Sequence, residues 1–198
     1  MSTLVLKMSM SLDGFIAGPD GEMDWAMAAR SDDSTAWVLR TLQEADVHLI
    51  GRGFHDGVAA FWSSAQGPMA AAMNDTPKVV ASHSLSAEAA PPPGGFPFAG
   101  AGTWESPYLA GGDLITDVER LKEHTAGVVL VNGGVRFARS LVSLGLVDEY
   151  RLVIAPIALG RGQPLFSDLT QPLDLDLIDT AVFDGGIVAQ TLVPKTTA

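Results

Sequence analysis

The stretch from Val128 to Leu144 constrains this chain more than any other part of it. Val128-Val129-Leu130-Val131 is apolar and mostly β-branched, which reads as a buried strand. Asn132-Gly133-Gly134 breaks it. Phe137, Leu141 and Leu144 then recur at i, i+4 and i+7, the spacing of one helix face. A buried strand running through a glycine turn into a helix is half of a parallel βαβ unit. The turn also suits a particular chemistry. A helix N-terminus exposes N–H groups that lack intrahelical acceptors, together with a partial positive charge. Glycines before it let a pyrophosphate approach the backbone closely. A plain strand-to-helix connection also favours glycine, and on the glycine pair alone that plainer reading is preferred. The pattern is neither GxGxxG nor a GxxxxGK phosphate loop.

The rest of the chain supplies more units of the same kind. Thr3 to Met8 reads as a strand, followed by turns at Asp13-Gly14 and Asp20-Gly21. Ser34 is placed to cap a helix running to about Ala45. Val47 to Ile50 is a short buried strand ending at Gly51-Arg52, and Lys78 to Ser82 is another. Residues 53 to 76 are ambiguous, with a helical turn over Met69 to Met73. Residues 86 to 102 are rich in proline and glycine and read as an irregular loop, with a short strand expected over Gly102 to Glu105. Thr116 to Glu119 fits a capping box, so a helix is expected from there to about Ala126-Gly127. Gly145 reads as a helix stop. Strands follow over Asp148 to Pro156, Leu173 to Thr180 and Gly186 to Val193, with Asp184-Gly185 as a hairpin signal between the last two. These elements predict an α/β fold in one domain over residues 1–198. Its sheet is mixed and mostly parallel, flanked by helices, and ends in an antiparallel hairpin.

Charge and composition narrow the partners. The net charge is −11, from 23 acidic and 12 basic residues, and no basic cluster interrupts it. Such a chain repels nucleic acid and anionic membranes, which leaves a small-molecule substrate. Apolar residues make up 47%, enough for a substantial core. There are no cysteines, so thiolate chemistry and cysteine zinc sites are absent. The N-terminus does not read as a signal peptide, and a cytoplasmic location is expected. His48, His55, His83 and His124 show no metal-ligand spacing, and no GxSxG is present.

Three strand ends carry phosphate donors. Arg52 can grip a phosphate in fork geometry or simply close its strand. Ser82 and His83 can reach a ribose phosphate or make a turn. Together with Gly133-Gly134 they place donors after three strands, where ligands of open α/β sheets gather. Asp13 can orient a substrate or supply a proton, or serve only as a turn residue. Phe15 and Trp25 can line an aromatic slot or pack in the core. Asp32 and Asp33 suit a helix N-terminus.

The run VVLVNGGVRFARSLVSLGLVDEYRLVIAPIALGRGQPLF, from Val128 to Phe166, resembles the C-terminal reductase domain of bacterial riboflavin deaminase-reductases and its stand-alone relatives. MSMSLDGFIAGPDGEMDW and LIGRG fit the same family in the same order. The resemblance implies a dihydrofolate reductase-like fold, a homodimer, and NADPH as hydride donor. It further implies that Asn132, Gly133, Gly134, Val135 and Arg136 cradle the pyrophosphate, helped by Gly51 and Arg52. Ser82 and His83 would meet the adenosine 2′-phosphate. The loop from Ser11 to Trp25, with Phe15 in it, would cover nicotinamide and substrate, and Asp13 would be the catalytic acid. The reference reaction is reduction of 5-amino-6-(5-phosphoribosylamino)uracil. Alternatives are reduction of dihydrofolate or another pterin, or a non-catalytic nucleotide-binding protein of this fold. Asn132 stands where the riboflavin enzymes usually carry glutamate. Phe54 and His55 stand near the place of the fold's usual threonine. The apolar segment Leu152 to Leu159 suits a subunit interface or a central strand equally.

Overall fold

The structure is a computed structural model and describes residues 2–82 and 102–195. In chain order the elements are β1 (Thr3–Ser11), β2 (Phe15–Ala17), α1 (Asp24–Ala28), α2 (Asp32–Gln43), β3 (Ala45–Gly51), α3 (Arg52–Ser64), α4 (Pro68–Asp75) and β4 (Lys78–Ala81). After the undescribed stretch come β5 (Tyr108–Ala110), α5 (Leu114–His124), β6 (Val128–Val131), α6 (Val135–Ser143), β7 (Glu149–Ala155), β8 (Gln163–Pro164), β9 (Leu175–Val182) and β10 (Val188–Pro194). The main sheet has the strand order β5-β4-β3-β6-β1-β7-β10-β9. Parallel pairing joins β3 to β4 and β6, β4 to β5, and β1 to β7. Antiparallel pairing joins β10 to β7 and to β9, so the expected mixed, mostly parallel sheet ends in the expected hairpin. A separate two-stranded ladder pairs β2 with β8.

The chain divides into two compact units. One takes the residues up to Leu4 together with Leu39–Gly134, the other Val5–Val38 together with residues from Val135 onward. In the first unit, Val129, Leu130 and Val131 of β6 and Val79 and Val80 of β4 are buried, which is why these strands read as continuous apolar runs. In the second, α6 packs Ala138, Leu141 and Val142 inward. Its end is a Schellman turn: Gly145 N–H donates to Val142 O and Leu146 N–H to Leu141 O, with Gly145 at φ +67°. Leu144, expected on the buried face, is exposed because the helix stops at Ser143.

Other boundaries differ from expectation for local reasons. The helix α2 starts at Asp32, so Ser34 lies inside its first turn and donates to Ser31 O instead of capping. Asp32 and Asp33 occupy that first turn, where negative charge is favoured. The helix α5 starts two residues before Thr116. Its cap is Asp113, whose carboxylate accepts from Thr116 N–H at 3.1 Å. Replacing Asp113 with alanine is expected to cost about 1 kcal/mol in urea denaturation. Residues 52–75 form two helices, α3 and α4, where the sequence was ambiguous, since α3 buries none of its side chains. No strand forms over Gly102–Glu105. Trp104 turns inward there and donates from Nε1 to Asn74 Oδ1 at 2.8 Å. The irregular loop expected over residues 86–102 lies almost wholly outside the described residues.

Candidate active site

In the first unit the sheet itself assembles the donor groups. Because β4, β3 and β6 are neighbours and parallel, their carboxyl ends fall on one edge. The register sets Gly51 against Ala81 and His48 against Leu130. Arg52, Ser82 and the Asn132-Gly133-Gly134 turn therefore follow directly from three adjacent strands. Crevices outside such strand ends are where open α/β sheets hold ligands. His83 lies outside the described residues.

The turn is shaped by what surrounds it. Gly133 and Gly134 have φ of +118° and +83°, a region open to glycine and strained for other residues. A Cβ at Gly133 would lie 2.5 Å from Phe54 Cζ, so the Phe54 ring of α3 rests against the glycine itself. Asn132 is half-buried, with Nδ2 at 3.9 Å from Met73 Sδ. Val135 and Arg136 open α6, so their N–H groups have no intrahelical acceptors.

Arg52 opens α3. Its Nε donates to Asp56 Oδ2 at 3.3 Å, and both side chains are about half exposed. An exposed i,i+4 pair of this kind is weak and leaves the guanidinium able to take a phosphate. Asp56 also meets His55 Nδ1 at 3.2 Å, and His55 Nε2 lies 2.9 Å from Trp104 O, with the two rings stacked. The His55 bond holds the Asp56 carboxyl below its ordinary range. The sequence did not flag His55, Asp56 and Trp104 as a chain of contacts. Trp104 is reached across 49 residues, a separation no local pattern reports.

In the second unit, Asp13 holds its loop shut. Its carboxylate accepts from Ser11 Oγ at 2.7 Å, from Leu159 N–H at 3.0 Å and from Gly160 N–H at 2.7 Å. The Ser11 hydroxyl also accepts from Phe15 N–H at 3.0 Å. Donors converging on the charged form, Ser11 first, lower the Asp13 carboxyl to about 2. These bonds favour the charged carboxylate, whereas donating a proton needs a raised value. Ser11 and Phe15 belong to the same clasped loop. Trp25 sits in α1, half-buried, with Nε1 donating to Glu22 O at 3.2 Å.

Lys7 is the residue the sequence reading passed over. It lies in mid-β1 and is buried, and burial first, then the like charge of Arg30, lowers its amine to about 7. A lysine inside an apolar strand was the available signal.

Among the described residues no helix is long and apolar enough to cross a membrane. The chain is 28% identical over 187 residues to protein YyaP of Bacillus subtilis (strain 168), covering 93% of this chain and 91% of that one. A solved structure of a protein named for riboflavin biosynthesis, from Shewanella sp. PV-4, superposes with a TM-score of 0.72 at 23% identity, covering 98% of this chain and 99% of the other. Dihydrofolate reductase from Enterococcus faecalis, solved with NADP(H), superposes with a TM-score of 0.59 at 12% identity, over 98% and 97% of the two chains. The fold is thus dihydrofolate reductase-like. The RibD C-terminal domain model matches residues 2–189, which include the ends of β3, β4 and β6, and the chain belongs to that family.

Proposed function

We propose that this protein is an NADPH-dependent reductase of the riboflavin-pathway type, acting on a small heterocyclic or sugar-phosphate substrate. The carrying observation is the common edge formed by Arg52, Ser82 and the Asn132-Gly133-Gly134 turn at the ends of three adjacent parallel strands. The group fits these residues. A dinucleotide needs a backbone cradle for its pyrophosphate and a planar cation for a further phosphate. The turn and Arg52 provide them. Bound NADPH supplies the hydride. The first unit's part is to hold the phosphates at the turn, and the second unit carries a fixed loop at Ser11–Phe15. In this reading Asp13 is a positioning residue that keeps that loop closed and stays ionised throughout.

Two measurements test the reading. Titration with NADPH and with NADH, followed by quenching of the four tryptophans, should show saturable binding with NADPH preferred. Arg52→Ala should then weaken NADPH by roughly tenfold or more, the worth of one charge-assisted hydrogen bond. No quenching by either nucleotide sinks the reading. For the clasp, Asp13→Asn should speed amide hydrogen exchange at Leu159 and Gly160 while leaving exchange in β6 unchanged. Unaltered protection at those two amides would show that the carboxylate does not hold the loop.

A further inference from the structure

The helix α3 carries Arg52, yet none of its thirteen residues is fully buried. A helix is usually fixed to its sheet by a buried apolar stripe. Where that stripe is weak, polar contacts take over more of the task of setting where Arg52 stands. The first unit contains a chain of such contacts. His55, in the first turn of α3, has Nε2 at 2.9 Å from Trp104 O, and the two rings stack with centroids 5.8 Å apart. Trp104 is 4% exposed and is itself held, since its Nε1 donates to Asn74 Oδ1 at 2.8 Å. Asn74 Nδ2 donates in turn to Trp62 O at 2.9 Å, in the last turn of the same helix. One buried indole therefore ties both ends of α3.

From His55 the chain runs outward to Arg52. His55 Nδ1 lies 3.2 Å from Asp56 Oδ1, with side-chain exposures of 13% for the histidine and 56% for the aspartate. Asp56 Oδ2 accepts from Arg52 Nε at 3.3 Å. Among the described residues the Nη groups of Arg52 meet no acceptor. An isolated exposed ion pair gains little, because two side chains must be immobilised together. Here one partner is already placed, since His55 holds the carboxylate and Trp104 holds His55. The guanidinium is a rigid planar fork of N–H donors. With Nε taken by Asp56, the edge left over is the Nη pair. A phosphate monoester can accept two parallel bonds from that edge, which a lone hydroxyl cannot. A carboxylate beside a phosphate site also repels the phosphate. Repulsion and positioning have opposite signs, so variants separate them.

We propose that Asp56, set by His55 against the Trp104 carbonyl, is a positioning residue that gives this site its preference for a phosphorylated nucleotide. It occupies Nε of Arg52 and leaves the Nη edge as a two-pronged grip for a phosphate monoester. The inference rests on the reductase reading for the identity of that phosphate, the group that NADPH carries and NADH lacks.

Asp56 is exposed, so substitutions there leave the core intact. The test measures Kd for NADPH and for NADH by tryptophan quenching of the whole protein. Asp56→Ala should weaken NADPH roughly three- to tenfold, the worth of one hydrogen bond, and leave NADH unchanged. His55→Ala, at a residue with no contact to Arg52, should lower the NADPH preference in the same direction by less. In an Arg52→Ala background, Asp56→Ala should have no further effect, because its influence runs through the guanidinium. A merely structural role would weaken both nucleotides alike and would persist without Arg52. Nitrogen NMR of the Arg52 Nε–H gives a readout without nucleotide, and its exchange with solvent should speed up in both Asp56→Ala and His55→Ala. If Asp56→Ala binds NADPH as tightly as the parent protein or more tightly, the inference is overturned. It is also overturned if the full Asp56→Ala effect survives in the Arg52→Ala background. A parent protein that prefers NADPH whatever stands at position 56 keeps the reductase reading and loses only the positioning role. A parent protein that binds neither nucleotide removes the reductase reading and the phosphate grip with it.

Discussion

Gly133→Ala should destabilise the protein by roughly 2–6 kcal/mol and abolish nucleotide binding. Two separate costs add. An alanine at φ +118° is held in backbone space that side chains rarely enter, which costs about 1–3 kcal/mol. Its Cβ would also lie 2.5 Å from Phe54 Cζ, and relief by moving a packed ring costs about 1–3 kcal/mol more. A double-mutant cycle separates them. In a Phe54→Ala background the steric part disappears and only the backbone part remains, so Gly133→Ala should cost less there by about 1–3 kcal/mol. Urea denaturation of the four proteins measures the cycle. A coupling near zero would mean that the ring does not rest on the glycine.

The second large effect is on pH. His48 lies in β3 with its ring buried, and burial followed by the charge of Lys78 lowers it to about 4, partly opposed by a hydrogen bond with the Ala72 backbone. Its Nε2 has no hydrogen-bond partner among the described residues. Lys78, its cross-strand neighbour, is buried and donates from Nζ to Asn74 O at 2.7 Å and Thr76 O at 2.6 Å, beneath the Trp104 ring. The sign follows from proton counts. Between pH 4 and 6.5 the unfolded chain protonates this histidine and the folded chain does not. Stability therefore falls as pH drops through that window, by about 3 kcal/mol in total from this group, and the contribution levels off below pH 4. Carboxylates such as Asp13, lowered to about 2, act in a different range, with their contribution lost only as pH falls below 4. His48→Met keeps the volume and removes the titrating ring, so the slope between pH 6.5 and 4 should flatten. An unchanged slope in urea melts across that window would assign the effect elsewhere.

The sheet was legible because its strands are short apolar runs ended by glycine or a charged residue, as at Val47–Arg52 and Val128–Gly133. Those same endings marked the candidate donor groups, and the parallel register brought them to one edge. Helix starts were read less well because capping signals overlap. Asp113-x-x-Thr116 and Thr116-x-x-Glu119 are both valid patterns, and only the geometry shows that the first is used. The helix α3 was missed because a helix without buried side chains has no clean stripe. The opposite roles available to Asp13 were undecidable, since two of its donors lie 146 and 147 residues away. Phe54 was noticed as a departure from the family, but its seat on Gly133 depends on packing between α3 and the end of β6. Lys7 was missed because one lysine barely disturbs the strand pattern around it.

The Asp13 clasp has a consequence for affinity. A loop that must order when a ligand arrives subtracts its lost conformational entropy from every binding event. Here the ordering is done when the chain folds, by three bonds to a carboxylate that stays ionised at any pH above about 4. A molecule docking against Ser11–Phe15 meets a surface already in its final shape. Its association is therefore set by diffusion and fit, with no slow closing step at this loop.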